Sequence, residues 1–150
     1  MIRSDKRLRL NAVLLLCVLT FIWGNSLLPG EVSGAFSDWV KSILERLFAQ
    51  GTPKPTSGGL LRKLAHFTEF TALGALLCHR TGMLEKNKAV AFGCGALAAC
   101  IDETIQVFVP DRGPALKDVC IDSAGVLTGI VLVLLGHTYF KRRINKSGGK

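Results

Sequence analysis

Four long apolar runs constrain this chain more than any other feature of its sequence. They cover residues 8–28, 60–79, 89–109 and 119–140, and each approaches the roughly 20 residues that a helix needs to cross a bilayer. The mean hydropathy of +0.35 is also high for a water-soluble domain. The runs therefore predict an all-α, multi-pass membrane protein with four transmembrane helices, which form one membrane domain over residues 1–140.

Basic residues gather in three short segments, which are the N-terminal tail, the loop after the second run and the C-terminal tail. These segments hold twelve of the nineteen Lys and Arg residues: Arg3, Lys6, Arg7, Arg9, Arg80, Lys86, Lys88, Lys141, Arg142, Arg143, Lys146 and Lys150. Four crossings place all three segments on one side of the membrane, and the excess of positive charge makes that side cytoplasmic. We therefore expect both termini inside, with residues 141–150 as a basic cytoplasmic tail.

The formal net charge of +8 has a topological explanation, because most of it lies in those cytoplasmic segments. It does not require a nucleic acid, and we expect the lipid bilayer rather than a nucleic acid as the partner. The first run follows a basic start, as in a cleaved signal peptide. However, no clear small-x-small cleavage site follows it, and three more apolar runs come after it.

The segment of residues 31–59 lies between the first and second runs and is therefore expected outside. Within it, Phe36, Val40, Ile43 and Leu47 share one face of a helix, while charged residues take the opposite face. This pattern predicts an outer amphipathic helix that lies on the membrane surface or caps the bundle.

Polar and charged residues concentrate in the outer halves of the last three runs and in the loop before the fourth. They are Arg62, Lys63, His66, Glu69, Asp102, Glu103, Gln106, Arg112, Asp118 and Asp122. Several are one helical turn apart, so each helix has one polar face at the same depth. Gly125 and Gly129 continue the polar face of the fourth run, and such glycines let helices approach closely. We therefore predict a shared polar pocket between helices that opens towards the outside.

The chemistry of these residues leaves four interpretations open. The simplest is an internal salt-bridge network, and the second is an anion site in which Arg62, Lys63 and Arg112 donate hydrogen bonds. The third is a divalent metal site, since His66 and Glu69 lie three residues apart on one helix face and carboxylates lie nearby. The fourth is general acid–base chemistry by His66 with a carboxylate, although no obvious nucleophile accompanies it.

Three stretches of the sequence resemble VanZ-like membrane proteins. "KLAHFTEF" begins at Lys63, "DETIQVFVPDRGPALKDVCIDSAGVLTG" begins at Asp102, and "WGNSLLPG" begins at Trp23. Their order and combination resemble the family's pattern over about three quarters of the chain. One departure is Asp111, where a small residue such as Gly is expected.

The resemblance implies a protein of the bacterial cytoplasmic membrane. The family's named member lowers susceptibility to teicoplanin, a lipid-bearing glycopeptide antibiotic. The family motif maps onto nine of the ten polar residues above, all except Arg62. We therefore expect a protein that binds an anionic cell-surface or lipid-linked ligand and alters glycopeptide susceptibility. The alternatives are an intramembrane, metal-assisted enzyme acting on a phosphate-bearing, lipid-linked wall precursor, and a structural membrane module.

Overall fold

The fold of the protein comes from a computed structural model that describes residues 2–29, 58–110 and 112–147. These residues form four helices and no strand, so the prediction of an all-α protein is confirmed for the described part. The helices are α1 (Ile2–Ser26), α2 (Gly58–Met83), α3 (Lys88–Gln106) and α4 (Leu116–Ser147). The predicted outer amphipathic helix, around residues 36–47, lies outside the described residues, as does Asp111.

Three of the four helices are long and apolar enough to cross a membrane. The qualifying segments are Asp5–Ser26, Lys88–Gln106 and Leu116–Ile144. Helix α2 has 26 residues, so at 1.5 Å per residue it is about 39 Å long. Its length suffices for a span, but Arg62, Lys63 and other charged side chains lower its hydropathy. A crossing by α2 therefore depends on where those charges point, and not on hydropathy alone.

The surface of the helix bundle is apolar, while several charged side chains are buried inside it. Leu16 on α1 and Leu135 on α4 are 66% and 62% exposed, whereas Asp102 and Asp122 are 0% and 1% exposed. In water, such an apolar exterior would be unfavourable over so large an area. This inverted distribution is what a bundle surrounded by lipid needs, because lipid covers apolar surface without cost.

Helices α2 and α4 pack most closely, and glycines make that contact possible. A Cβ atom at Gly125 would lie 2.7 Å from the carbonyl oxygen of Phe67, and one at Gly129 would overlap the carbonyl oxygen of Thr71. Gly74 on α2 is pressed against the backbone of α4 in the same way. The predicted close approach at Gly125 and Gly129 is therefore confirmed, and α2 is the neighbour that approaches.

Helix α1 is joined to the bundle by hydrogen bonds from its polar side chains. Asn11 Nδ2 donates to the carbonyl oxygen of Leu76 on α2 at 3.2 Å, and Trp23 Nε1 donates to that of Ala98 on α3 at 3.4 Å. Such bonds between helices stabilise membrane bundles modestly, by about 1 kcal/mol each. The bond from Trp23 holds the C-terminal end of α1 against α3.

Candidate functional site

The ten polar residues predicted above are called the polar cluster here, and seven of them surround one small cavity. The cavity has a volume of about 10 Å³, which is close to the space that one water-sized particle occupies. Its lining residues are Arg62, Lys63, His66, Glu103, Gln106, Asp118, Ile121 and Asp122. Helices α2, α3 and α4 all contribute to it, so their polar faces meet in one place. Whether the cluster acts as a functional site stays a prediction.

Three buried side chains stand at the centre of the polar cluster. The Nδ1 atom of His66 lies 3.8 Å from the Oδ2 atom of Asp102. His66, Asp102 and Asp122 each offer one nitrogen or oxygen atom, and these three atoms lie within 4.8 Å of one another. An imidazole and two carboxylates at this separation form a set of residues that could hold a divalent metal.

Hydrogen bonds from the amide of Gln106 fix the acids of α3. Gln106 Nε2 donates to Asp102 Oδ2 at 2.9 Å and to Glu103 Oε1 at 3.3 Å. The other oxygen of Glu103, Oε2, accepts a hydrogen bond from the backbone N–H of Ala115 at 2.8 Å. Glu103 thereby ties the end of α3 to the beginning of α4, and this part of the cluster has a structural role.

Lys63 and Asp118 form an ion pair at the edge of the polar cluster. The Lys63 Nζ and Asp118 Oδ1 atoms are 3.1 Å apart, and the lysine side chain is 41% exposed. A pair this exposed contributes about 0–1 kcal/mol. The carboxylate also lies in the first turn of α4, where the helix dipole favours negative charge.

Several buried polar atoms of the cluster have no hydrogen-bond partner in the described part of the chain. They include Asp102 Oδ1 and both carboxylate oxygens of Asp122. A buried polar atom without a partner costs about 1–3 kcal/mol, and more if it is charged. These oxygens are therefore atoms to which an added cation or hydrogen-bond donor would bind favourably.

Arg112 lies between α3 and α4, and only part of its guanidinium is hydrogen-bonded within the described residues. Its Nη1 atom donates to the carbonyl oxygen of Ser26 at 3.4 Å, while Nε and Nη2 are buried without an acceptor among the described residues. Burial lowers the pKa of Arg112, and the positive charge of Arg62 lowers that pKa further. Nearby Asp102 and Glu103 act in the opposite direction and favour the charged guanidinium, as a bound anion would.

The end of α1 contributes two residues that the sequence interpretation did not include in the cluster. Asn25 Nδ2 donates to Glu69 Oε1 at 3.4 Å, and Ser26 is fully buried beside Arg112. Glu69 and Arg112 thus face α1 instead of lining the small cavity. Asn25 and Ser26 lie near the end of the first apolar run, residues 8–28, which was predicted to end outside, so their position there was a usable signal.

Comparison with known proteins places the chain in a family. A family model described as VanZ/LLP1 matches residues 11–137, which include all four described helices in whole or in part and the complete polar cluster. No curated protein and no solved structure matches the chain significantly. Since the match covers more than half of the chain, the protein belongs to the VanZ/LLP1 family, as its sequence motifs implied.

Proposed function

We propose that this protein resides in the bacterial cytoplasmic membrane and binds an anionic cell-surface or lipid-linked ligand at the outer side of the polar cluster. By doing so it lowers susceptibility to lipid-bearing glycopeptides of the teicoplanin type. Family membership supports the connection with glycopeptides. The observation that carries the ligand class is the guanidinium edge of Arg112 formed by Nε and Nη2, which has no acceptor among the described residues.

The geometry of a guanidinium explains why an anion is the favoured ligand. Its N–H groups form a planar fork that matches phosphate or carboxylate through two parallel hydrogen bonds. Arg112 Nη1 donates its hydrogen bond to the carbonyl oxygen of Ser26. Nε and Nη2 have no acceptor among the described residues and can bond to such a ligand. Arg62, which lines the small cavity of the same polar cluster, adds a second positive charge.

An apolar groove next to the polar cluster supports a ligand that also carries a lipid chain. The groove has a volume of about 400 Å³ and lies between α3 and the start of α4. Its lining residues are Cys100, Glu103, Thr104, Val107, Pro114, Ala115, Leu116 and Val119. Glu103 borders both the groove and the small cavity. An amphiphile whose apolar tail occupies the groove and whose anionic head lies at the outer side of the polar cluster matches this arrangement.

A second candidate function is catalysis on a phosphate-bearing, lipid-linked wall precursor. The observation that favours it is the set of His66, Asp102 and Asp122 beside cationic side chains, since a metal or an imidazole could activate a water molecule there. Turnover of a lipid-linked precursor by the purified protein would establish this activity. Binding of the precursor without turnover would instead favour the first candidate function.

The proposed function requires four crossings, so α2 must cross the membrane as well as the three more apolar helices. Neighbouring helices cover the polar face of α2, which supports this crossing. His66 is buried, and Arg62 and Lys63 are partly buried. Reporter fusions after Lys86 and at the C-terminus are expected to read as cytoplasmic, and a fusion after Pro114 as external. Activity of a periplasmic reporter at the C-terminus would contradict the four-span topology.

The function itself is tested in a glycopeptide-susceptible bacterial host that expresses the chain. We expect a higher inhibitory concentration of teicoplanin than in the host with an empty vector. A glycopeptide without a lipid chain serves as the matched control, and its inhibitory concentration should change much less, because the proposed effect concerns glycopeptides that carry a lipid chain. Equal teicoplanin sensitivity with and without the protein, at verified membrane levels, would contradict the proposal.

A further inference from the structure

The centre of the polar cluster contains atoms that neighbouring residues do not satisfy. Asp102 and Asp122 are almost completely buried, and three of their four carboxylate oxygens have no hydrogen-bond partner among the described residues. His66 is 9% exposed, and its Nδ1 atom lies 3.8 Å from the fourth of these carboxylate oxygens, Asp102 Oδ2. An imidazole nitrogen and carboxylate oxygens that converge in this way are typical metal ligands.

The size of the adjoining cavity limits what can bind at this point. His66 and Asp122 both line the cavity of about 10 Å³, which has room for one water-sized particle. A phosphate or carboxylate group is larger than that, whereas a single metal ion fits. An organic head group would therefore lie outside this cavity, towards Arg112, and an ion would lie within it.

The charge of the polar cluster also favours a cation. Its ten residues include five carboxylates, at Glu69, Asp102, Glu103, Asp118 and Asp122, but only three permanently cationic side chains. If all are ionised, the cluster carries two excess negative charges in a poorly solvated position. One divalent cation would balance this excess, and the alternative is that the carboxylates take up protons.

The distances require only a small adjustment to hold an ion. Ligand atoms of a tetrahedral zinc ion are about 2.0–2.2 Å from the metal and therefore about 3.4 Å from one another. The three candidate atoms lie within 4.8 Å, so the farthest pair must approach by up to about 1.4 Å. Rotation of the two carboxylates supplies movements of this size. Gln106 donates a hydrogen bond to Asp102 and so orients its carboxylate, as outer-shell partners of metal ligands do.

We propose that His66, Asp102 and Asp122 hold one divalent transition-metal ion, of the Zn²⁺ or Mn²⁺ class. Mixed imidazole and carboxylate ligands favour these ions over Ca²⁺, which takes oxygen ligands. Three protein ligands leave a coordination position open, and an anionic oxygen of the ligand can fill it. This inference rests on the proposed function for the identity of that anionic ligand, but the metal site stands on its own geometry.

The test measures metal in the full-length protein, purified in detergent through an affinity tag that contains no histidine. Metal analysis of the wild type is expected to find close to one zinc or manganese ion per chain. After treatment with a chelator, Zn²⁺ or Mn²⁺ alone should bind again and raise the melting temperature, because ligands that bind only the folded state stabilise it. His66→Ala and Asp122→Asn should each weaken binding by at least about 100-fold, since even the loss of an outer-shell partner costs about 10–100-fold.

Two controls keep the test independent of folding. Glu85→Gln changes an exposed carboxylate in the turn after α2 and should leave metal binding unchanged. In chelator, Asp122→Asn should melt at the wild-type temperature or above it, because it removes a buried charge. A wild-type protein without stoichiometric metal and without a metal-dependent rise in melting temperature would overturn the proposal, as would full metal binding by Asp122→Asn. Metal binding without any glycopeptide effect would leave the metal site standing and overturn the proposed function.

Discussion

Arg112→Lys is expected to reach the membrane at the wild-type level and to lose protection against teicoplanin-type glycopeptides. The substitution keeps the positive charge but removes the planar fork that grips phosphate or carboxylate. In the structure, only Nη1 of Arg112 bonds within the described part of the chain, so the protein loses one long hydrogen bond to Ser26. The ligand loses its bidentate partner, and the expected effect on activity is therefore much larger than the effect on stability.

The measurement pairs immunoblots of the membrane fraction with inhibitory concentrations of teicoplanin in a host that expresses each variant. Arg142→Lys, an exposed change near the C-terminal end of α4, is the matched control and should behave as wild type. If Arg112→Lys retained full activity, bidentate anion binding would be wrong. If protein level and activity fell together, the polar cluster would be a structural network, in which removing one buried partner costs about 3–5 kcal/mol.

Gly129→Ala is expected to destabilise the bundle strongly, although it adds one methyl group. That methyl would overlap the carbonyl oxygen of Thr71 and lie 2.7 Å from the backbone nitrogen of Ala75. A backbone cannot swing aside as a flexible side chain can, so α2 and α4 must separate. Overpacking of a filled interior costs about 1–3 kcal/mol, and we expect the upper end of that range here.

Gly136→Ala provides the matched control on the same helix. A Cβ atom there would meet nothing within 4 Å. The change should be neutral or stabilising, since alanine favours a helix over glycine by about 1 kcal/mol. The two changes in stability are compared by measuring the melting temperature of each purified variant in detergent. If both variants melted at the same temperature, the close contact of α2 with α4 described here would be wrong.

Much of the fold follows from the sequence because a membrane leaves few choices. The apolar runs predict helices, and the one-turn spacing of Asp118 and Asp122 predicts one polar face on α4. The period of a helix fixes which residues share a face. In lipid a charged face must point inwards, which is why the polar faces of α2, α3 and α4 meet.

Other features of the site could not be read from the sequence. Helical spacing does not determine how one helix is rotated against another, so it could not show that Glu69 faces Asn25 on α1 while His66 faces Asp102 on α3. Nor does it show which polar groups pair. Gln106 bonds to both acids of α3, whereas Asp122 lacks a partner in the described residues. Hydropathy also scores α2 below the other three helices, because it counts the charged residues of α2 without regard to the helices that cover them.

The binding of an anionic ligand by Arg112, at the outer side of the polar cluster, can be tested directly. The most direct measurement is an experimental structure of the protein in a lipid phase that contains the total lipid extract of a bacterial host. We expect an anionic head group within hydrogen-bond distance of Arg112 Nε and Nη2, with its apolar chain in the groove beside Glu103. A structure in which residues 30–57 of the chain itself occupy those two nitrogen atoms, with no head group at the cluster, would contradict it.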